Sequence, residues 1–411
     1  MRYVERALAP TVIEAMREAR VVALLGPRQS GKTTLVRALA SGSLAAAYLT
    51  LDDEPVRSLA QGDPAGFTAG LKGRTVIDEV QRAPDLLLAI KSRVDRDDTP
   101  GQFLLTGSAN LRRIPSIADA LPGRTDYLTL FPFTQGEIAG RPERFLAMVL
   151  AGKAPSISGA PAGRGSYVHR IVTGGFPEAT RRSPAARTRF FNGYVESIVD
   201  RDVADAGRVR DAQSVGTLLR LVAARSGSLA RYDALGRDAG IDGKTAKSHL
   251  DVLDRLFLVR VRRPWHTNLG KRQVKAPKLY IADPGLMASV VGADAQRVRD
   301  DDGLAGALFE TFVAVELERQ ASWMPSPVSF WHYRDGEREI DIMIEAPSGE
   351  VVGIEVKAGA TVRPPDFSGL AHARERLGPR FRCGLVLYSG EQTLPFGDRL
   401  WAVPLAALWQ A

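Results

Sequence analysis

A glycine-rich loop near residue 30 has the residue types and spacing that bind phosphate groups. Its sequence, Gly26-Pro-Arg-Gln-Ser-Gly31-Lys32-Thr33, matches the pattern G-x-x-x-x-G-K-[ST]. Glycines allow backbone N–H groups to close around phosphates, Lys32 can reach the β- and γ-phosphates, and the Thr33 hydroxyl can bind Mg²⁺. The alternative is a glycine-rich turn before a helix. We predict a nucleotide site lined by Gly26, Pro27, Arg28, Gln29, Ser30, Gly31, Lys32, Thr33 and Thr34.

Two adjacent carboxylates, Asp78 and Glu79, end an apolar segment that begins at residue 74. Beside a phosphate-binding loop, Asp78 would hold Mg²⁺ through water and Glu79 would polarise an attacking water, a pair typical of hydrolysis. The alternative is a strand end that meets solvent. Another apolar segment, 102–106, is followed by polar residues, and we expect Asn110 among them to sense the γ-phosphate.

Another set of charged residues lies near the C-terminus, in a predicted β-hairpin around a Pro-Ser-Gly turn. Because side chains alternate along a strand, Glu355 and Lys357 share a face, and Asp341 on the partner strand can converge with Glu355. Together with Glu310 from a predicted amphipathic helix, these carboxylates suit Mg²⁺ or Mn²⁺. Lys357 would orient the attacking water or stabilise a pentacovalent phosphate. The alternative is a hairpin with solvent-facing charges.

Lysine is rare in this chain, which has 10 lysines and 45 arginines, and Lys357 is the only lysine after Lys278. A lysine in an arginine-rich sequence indicates a position that needs a compact, strongly hydrated donor. This composition supports a chemical role for Lys357.

Short apolar segments must position the loop and the first pair of carboxylates. The segments 21–25, 47–52, 74–78 and 102–106 are predicted to be parallel strands with helices between them. They form the four-stranded core of a parallel-sheet α/β unit.

The same residues resemble the AAA-type P-loop ATPases of a bacterial and archaeal family in which this unit precedes a domain of formerly unknown function. The resemblance rests on 26–34, on Asp78-Glu79, on 106–110 and on a Leu-Pro-Gly-Arg stretch that ends at Arg124. It implies ATP and Mg²⁺ as cofactors and Arg124 as an arginine finger or sensor. If Arg124 acts in trans, activity requires a homo-oligomer.

The middle of the chain is strongly basic. Residues 151–280 hold 24 Lys/Arg and 11 Asp/Glu, a net charge of +13, whereas residues 1–150 carry +2 and residues 281–411 carry −7. A helix, a short turn, a second helix and an alternating basic strand follow the order of a winged helix, which would bind nucleic acid, and we expect that nucleic acid to be DNA. The alternative is an interaction or lid module with a solvated lysine-rich face. The predicted contacts are Lys244, Thr245, Lys247, Ser248, Arg260, Arg262 and Arg263.

The final segment resembles the PD-(D/E)XK nuclease core through Glu310, Asp341, Glu355 and Lys357. The resemblance implies metal-dependent cleavage of phosphodiesters, or a nuclease fold without cleavage that is retained for docking. The predicted fold is a multidomain α/β protein. It comprises a parallel-sheet AAA-type ATPase domain (1–150), a linker (151–166), a helical connector (167–213), a winged-helix-like module (214–300) and an α/β PD-(D/E)XK-nuclease-like domain (301–411).

Composition narrows the function classes. No apolar run is long enough for a membrane span, and the single cysteine, Cys383, excludes a disulfide framework and a cysteine metal cluster. We expect a cytoplasmic ATPase that binds nucleic acid and carries a C-terminal nuclease-like domain, for which metal-dependent cleavage is one of the two open alternatives. One rival is a nucleotide-dependent regulatory switch whose last domains only bind partners. A helicase-like motor is disfavoured because the sequence has no second RecA-like core.

Overall fold

A computed structural model describes residues 3–107, 123–157, 162–203, 211–266 and 276–411 of the chain. The chain divides into two compact units. The first comprises residues 1–133 with 255–257, and the second comprises residues 134–254 with 258–411.

The first unit is built on a parallel sheet of five strands in the order β2-β3-β4-β1-β5. Its strands are β1 (Val21–Leu25), β2 (Ala47–Thr50), β3 (Thr75–Asp78), β4 (Phe103–Gly107) and β5 (Thr125–Thr129). Its described helices are α1 (Ala9–Glu18), α2 (Lys32–Ser41), α3 (Glu54–Gly62), α4 (Pro64–Gly70) and α5 (Leu86–Val94).

The sequence predicted four of these strands and missed β5. Every residue of β1 and β4 is buried, as expected for central strands of a parallel sheet. Such burial requires mainly apolar residues, and these apolar runs are what predicts the two strands from the sequence. In contrast, β5 pairs only with β1 and its residues are partly exposed. Its sequence, Thr-Asp-Tyr-Leu-Thr, therefore lacks the apolar signal, and the predicted four-stranded core is corrected to five strands.

The second unit begins with helices. They are α6 (Gln135–Ala139), α7 (Phe145–Leu150), α8 (Arg164–Thr173), α9 (Pro184–Ser197), α10 (Ala212–Ala224), α11 (Tyr232–Ala239), α12 (Gly243–Arg255), α13 (Pro284–Val290), α14 (Ala295–Asp300) and α15 (Asp302–Ala321). Between α12 and α13, β6 (Val259–Arg262) and β7 (Lys278–Ile281) pair antiparallel. The described helices α10 to α12 with β6 follow the predicted order of helix, turn, helix and strand.

The C-terminal part of the second unit is a six-stranded mixed sheet in the order β12-β13-β11-β10-β9-β8. Its strands are β8 (Ser329–Asp335), β9 (Arg338–Glu345), β10 (Val351–Lys357), β11 (Phe381–Tyr388), β12 (Leu394–Pro395) and β13 (Leu400–Pro404), with helices α16 (Ser368–Leu377) and α17 (Ala407–Gln410). Strands β9 and β10 are antiparallel, as the predicted hairpin requires, and β10 and β11 are parallel.

The segment 151–166, predicted as an exposed linker, contributes to the second unit at both described ends. Pro155 is buried, its carbonyl accepts a hydrogen bond of 2.9 Å from Thr393 Oγ1, and α8 already starts at Arg164. Residues 134–150 also belong to the second unit, although the sequence placed them in the ATPase domain. The other predicted domain limits stay a prediction. Within the described ranges, no helix is both long and apolar enough to span a membrane.

Candidate functional site

The phosphate-loop motif connects β1 to α2 through backbone conformations that few side chains adopt. Gly26 has φ of 148°, and a Cβ there would lie 2.2 Å from the Leu130 carbonyl oxygen, so only glycine fits. Gln29 has φ of 60°, in the left-handed region that is unfavourable for residues other than glycine. Because α2 starts at Lys32, its N-terminal N–H groups and the positive end of its dipole lie beside the loop.

Lys32 is buried at the start of α2 and reaches back into the loop. Its Nζ donates to the carbonyl oxygens of Gly26 at 2.9 Å and Pro27 at 2.8 Å. Burial lowers the pKa of Lys32 from 10.5 to about 8, although Glu79 and Asp78 oppose the shift. The loop therefore contains a desolvated cation whose carbonyl partners are weaker acceptors than charged phosphate oxygens.

Three hydroxyl groups hold the Asp78 carboxylate at the end of β3. Thr33 Oγ1 donates to Asp78 Oδ2 at 2.8 Å, and the Tyr48 hydroxyl donates to the same oxygen at 2.7 Å. The Thr106 hydroxyl donates to Oδ1. Burial and the hydrogen bond to Asp78 raise the pKa of Tyr48. The two predicted Mg²⁺ ligands, Thr33 and Asp78, are thus in direct contact.

Glu79 has a left-handed backbone with φ of 59°. Its N–H donates to Thr106 Oγ1 at 3.1 Å, and its carboxylate accepts a hydrogen bond from Gln81. A strained residue other than glycine persists only where its surroundings fix it, and such residues cluster at functional sites. Thr106, at the end of β4, fixes both predicted acidic residues.

The loop residues fit a nucleotide with Mg²⁺. Ser30 Oγ is buried and has no hydrogen-bond partner among the described residues, whereas buried hydroxyls are normally bonded. A phosphate oxygen would satisfy it. Thr33 and Asp78 would hold Mg²⁺, which neutralises negative charge on the phosphates.

Arg124 does not lie near this loop within its own chain. It precedes β5, its carbonyl accepts a hydrogen bond from the N–H of Val21 at the start of β1, and its guanidinium pairs with Asp95. Gly26 follows the C-terminal end of β1, whereas Arg124 lies next to its N-terminal end. Arg124 and the phosphate loop are therefore at opposite ends of the strands. This placement does not bring Arg124 to the phosphate loop of its own chain, and its role as an arginine finger or sensor stays a prediction. Asn110 lies outside the described residues.

The predicted groove-contacting residues at the start of α12 differ in their surroundings. Lys244, Lys247 and Ser248 are exposed. Thr245 has a local role instead, because its N–H and hydroxyl donate to Asp242 at 3.0 and 2.6 Å and stabilise the start of the helix.

Arg260 and Arg262 were predicted to contact phosphates, and the structure corrects this. Both point from β6 to Glu318 on α15: Arg260 Nε lies 3.1 Å from Glu318 Oε2, and Arg262 lies 3.6 Å from the same oxygen. Although burial opposes it, these two arginines lower the pKa of Glu318. Their charges are neutralised inside the second unit, and only Arg263 of the three predicted arginines is exposed.

The structure brings Glu310, Asp341 and Glu355 together in the second unit. The β9–β10 register pairs Ile342 with Ile354, which places Asp341 next to Glu355. Burial, the Asp341 charge and a hydrogen bond between the two side chains raise the pKa of Glu355 well above its usual range. Burial and Asp341 raise the pKa of Glu310 to about 7.

These carboxylates contact a lysine that the sequence did not single out. Lys278 Nζ, on β7, lies 3.0 Å from Glu310 Oε1, 3.1 Å from Asp341 Oδ1 and 2.8 Å from Glu339 Oε1. An ammonium group thus occupies the centre of the predicted ligand set. Metal binding by Glu310, Asp341 and Glu355 stays a prediction, and the position of Lys278 bears directly on it.

Lys357 lies at the end of β10 with its Nζ 3.8 Å from Asp366 Oδ1. The rarity of lysine marks Lys357 but not Lys278, because Lys271 and Lys275 closely precede Lys278 in the sequence. No comparable signal marks Glu339, Tyr48 or Thr106.

Comparison with known families identifies three regions. Residues 18–139 match a family described as an AAA domain. Residues 164–297 and 305–408 match two families described as domains of unknown function, DUF8612 and DUF4143. The AAA match includes the complete phosphate loop and both acidic residues of β3, so the first unit is an AAA-type P-loop ATPase domain.

The chain is 31% identical over 403 residues to the uncharacterized proteins Mb2031c of Mycobacterium bovis and Rv2008c of Mycobacterium tuberculosis, covering 97% of this chain and 83% of each relative. Among solved structures, the Walker-type ATPase PABY2304 of Pyrococcus abyssi matches with 16% identity and a TM-score of 0.45, covering 70% of this chain and 96% of that one. A RuvB variant of Thermotoga maritima matches with 20% identity and a TM-score of 0.29, covering 61% and 86%.

Proposed function

The chain belongs to the same family as Mb2031c and Rv2008c, and from its AAA domain we propose that it binds Mg²⁺–ATP and hydrolyses it with Lys32, Thr33, Asp78 and Glu79. Lys32 would bind the β- and γ-phosphates, Thr33 and Asp78 would hold the metal ion, and Glu79 would orient and polarise the attacking water.

The observation that carries this proposal is the hydrogen bond between Thr33 and Asp78. It joins the phosphate loop to the acidic strand near the buried Lys32, which supports Thr33 and Asp78 as the proposed metal ligands. Thr106 links Glu79, the proposed water-activating residue, to Asp78, because its hydroxyl bonds to the Asp78 carboxylate and to the Glu79 N–H.

Phosphate release and nucleotide binding test the proposal in the full chain. Lys32→Ala should lose both, because the phosphates lose their buried cation. Glu79→Gln should bind ATP normally but hydrolyse it at least about 100-fold more slowly, as expected for the loss of one preorganised polar group. Lys72→Ala, an exposed lysine of the same unit, is the matched control and should behave as wild type. Wild-type protein that binds no nucleotide would refute the proposal.

The exposed start of α12 supports nucleic-acid binding as part of the proposed function. Lys244, Lys247 and Ser248 are accessible at the beginning of the second helix of a predicted winged helix, where such modules enter the major groove of DNA. Arg263 at the end of β6 extends the accessible basic surface. The proposed ligand is DNA, bound mainly through its phosphates.

One observation favours a second candidate function, an ATP-dependent regulatory switch whose nuclease-like domain does not cleave. Lys278 neutralises the carboxylates that a nuclease would use to bind metal. Plasmid cleavage assays with Mg²⁺ and Mn²⁺ separate the two functions. Cleavage by wild type that disappears in Asp341→Asn would establish a nuclease, and equal background in both proteins would support the switch.

We also propose that Arg124 acts across a subunit boundary. Mixing the variants Arg124→Ala and Lys32→Ala tests this. Each should be inactive alone, but in a mixed oligomer Arg124 of the Lys32→Ala subunit can act on the intact phosphate loop of the Arg124→Ala subunit. Recovery of ATPase activity on mixing supports the homo-oligomer. Full activity of Arg124→Ala alone would exclude any finger role.

A further inference from the structure

We propose that Lys278 takes the place of a divalent cation in the C-terminal carboxylate cluster, so that this domain binds no metal while Lys278 is present. The cluster consists of Glu310, Glu339, Asp341 and the adjacent Glu355. This inference concerns the second unit alone and does not depend on the proposed ATPase activity.

Lys278 contacts three carboxylates and donates hydrogen bonds to two of them, Glu310 and Asp341. An ammonium group has three N–H donors and no acceptor, and three carboxylates lie within 3.1 Å of Nζ. The Lys278 side chain is only 4% exposed, so the charge is compensated by these neighbours and not by water. Although burial alone lowers it, Tyr280, Asp341 and Glu310 raise the pKa of Lys278 above its usual value.

The same contacts exclude a hard divalent ion. Mg²⁺ requires oxygen ligands at about 2.0–2.1 Å in an octahedral arrangement. Glu310 Oε1 and Asp341 Oδ1 both accept hydrogen bonds from Lys278, so the ammonium group lies between two of the carboxylates that would bind an ion. Asp341 Oδ2 accepts a further bond from the Val356 N–H at 3.1 Å, and the Tyr280 hydroxyl donates to Glu310 Oε1 at 2.6 Å.

The turn that follows α10 packs beside β7 and closes the cluster from another side. Gly227 packs so tightly on Glu310 that a Cβ at this position would lie 3.0 Å from Glu310 Oε2. Next to it, Ser226 Oγ and Thr311 Oγ1 are hydrogen bonded at 2.8 Å. Lys278 thus arrives on a strand that is held against α15, and the ammonium is a fixed component of the site.

Removal of the ammonium should leave a set of buried carboxylates that recruits a metal ion. We therefore expect full-length Lys278→Ala to bind one Mn²⁺ more per chain than wild type, measured by electron paramagnetic resonance of free Mn²⁺ without nucleotide. The additional ion should be lost in Lys278→Ala/Asp341→Asn, whereas Lys278→Arg should bind as wild type does. Comparing variants with wild type cancels any Mn²⁺ bound by Thr33 and Asp78.

Two results would overturn the proposal: folded Lys278→Ala that gains no ion, or wild type that loses a bound Mn²⁺ when only Asp341→Asn is introduced. If Lys278→Ala unfolds in chelator, its refolding on addition of Mn²⁺ supports the proposal. If it does not refold, the comparison of Asp341→Asn with wild type decides alone, because equal Mn²⁺ stoichiometry supports the proposal and a lost ion refutes it.

Discussion

Thr106 donates a hydrogen bond to the Asp78 carboxylate and accepts one from the backbone of the next residue, Glu79. One buried hydroxyl on β4 therefore positions both acidic residues on β3. The arrangement explains how Glu79 keeps a left-handed backbone, because its N–H has a fixed partner 3.1 Å away.

Thr106→Val should destabilise the first unit and slow ATP hydrolysis. Valine has nearly the same shape but leaves the Asp78 carboxylate and the Glu79 N–H each without one bond, at a cost of about 1–3 kcal/mol. Denaturant unfolding and phosphate release are the measurements. The matched control is Thr75→Val, an equally buried threonine of β3 whose hydroxyl makes only a long 3.5 Å contact with the Gly73 carbonyl. Equal effects of the two substitutions would show that Thr106 has no specific positioning role.

The nucleotide site could be predicted from the sequence because its signals are local. The loop from Gly26 to Thr34 is one contiguous motif between an apolar strand and a helix, and Asp78 and Glu79 end another apolar strand. Parallel strands bring such ends to one edge of the sheet, so Thr33 and Asp78 meet although they are 45 residues apart. Tyr48 gives no such signal because its role depends on the position of β2 beside β3.

The C-terminal cluster could be predicted only in part. The β9–β10 hairpin fixes Asp341 beside Glu355 through register, which sequence alternation conveys. Lys278 comes from a different strand, 63 residues before Asp341, and nothing in the local pattern of β7 indicates its partners. Alternation also correctly predicts that Arg260 and Arg262 share one face of β6. It does not predict that this face contacts Glu318.

Part of the basic charge of residues 151–280 forms ion pairs within the second unit. The basic segment 151–280 suggested an external polyanion, yet Arg260, Arg262 and Lys278 all pair with carboxylates of the acidic segment 281–411. These ion pairs therefore connect the two segments. Only the exposed basic residues of segment 151–280 support DNA binding.

Arg260→Ala should destabilise the second unit strongly. Breaking a fully buried ion pair typically costs about 3–5 kcal/mol because the remaining charge is left in the interior. Arg260 and Glu318 are 20% and 18% exposed and Arg262 lies 3.6 Å from Glu318, so the loss should fall at or below the lower limit. The exposed Arg263→Ala on the same connection is the control and should change the unfolding free energy by less than about 0.5 kcal/mol. Urea unfolding distinguishes them. A stable Arg260→Ala with weakened DNA binding would instead restore the phosphate-contact prediction.

Lys244→Ala/Lys247→Ala should weaken DNA binding without changing stability. Each exposed lysine that contacts a phosphate contributes about one unit to the slope of log affinity against log salt, so the double variant should reduce that slope by about two. Fluorescence anisotropy of a labelled duplex across a salt series is the measurement, and Lys72→Ala/Lys91→Ala, in the first unit, is the charge-matched control. An unchanged slope in the Lys244/Lys247 variant would remove α12 from the DNA interface.

ATP binding should take up protons near pH 8. In the free protein burial lowers the pKa of Lys32 to about 8, below the 10.5 of the unfolded chain. The folded state therefore binds fewer protons between these values, and the contribution of Lys32 to stability rises with pH from about 8 towards 10.5. Bound phosphates add negative charge, raise the pKa of Lys32 and restore its proton, so binding at pH 8 should absorb about half a proton from this group. Calorimetric titrations in two buffers of different ionisation enthalpy measure this uptake. Lys32→Arg retains a cation that does not titrate and should abolish it, whereas equal uptake in both proteins would assign the proton to another group.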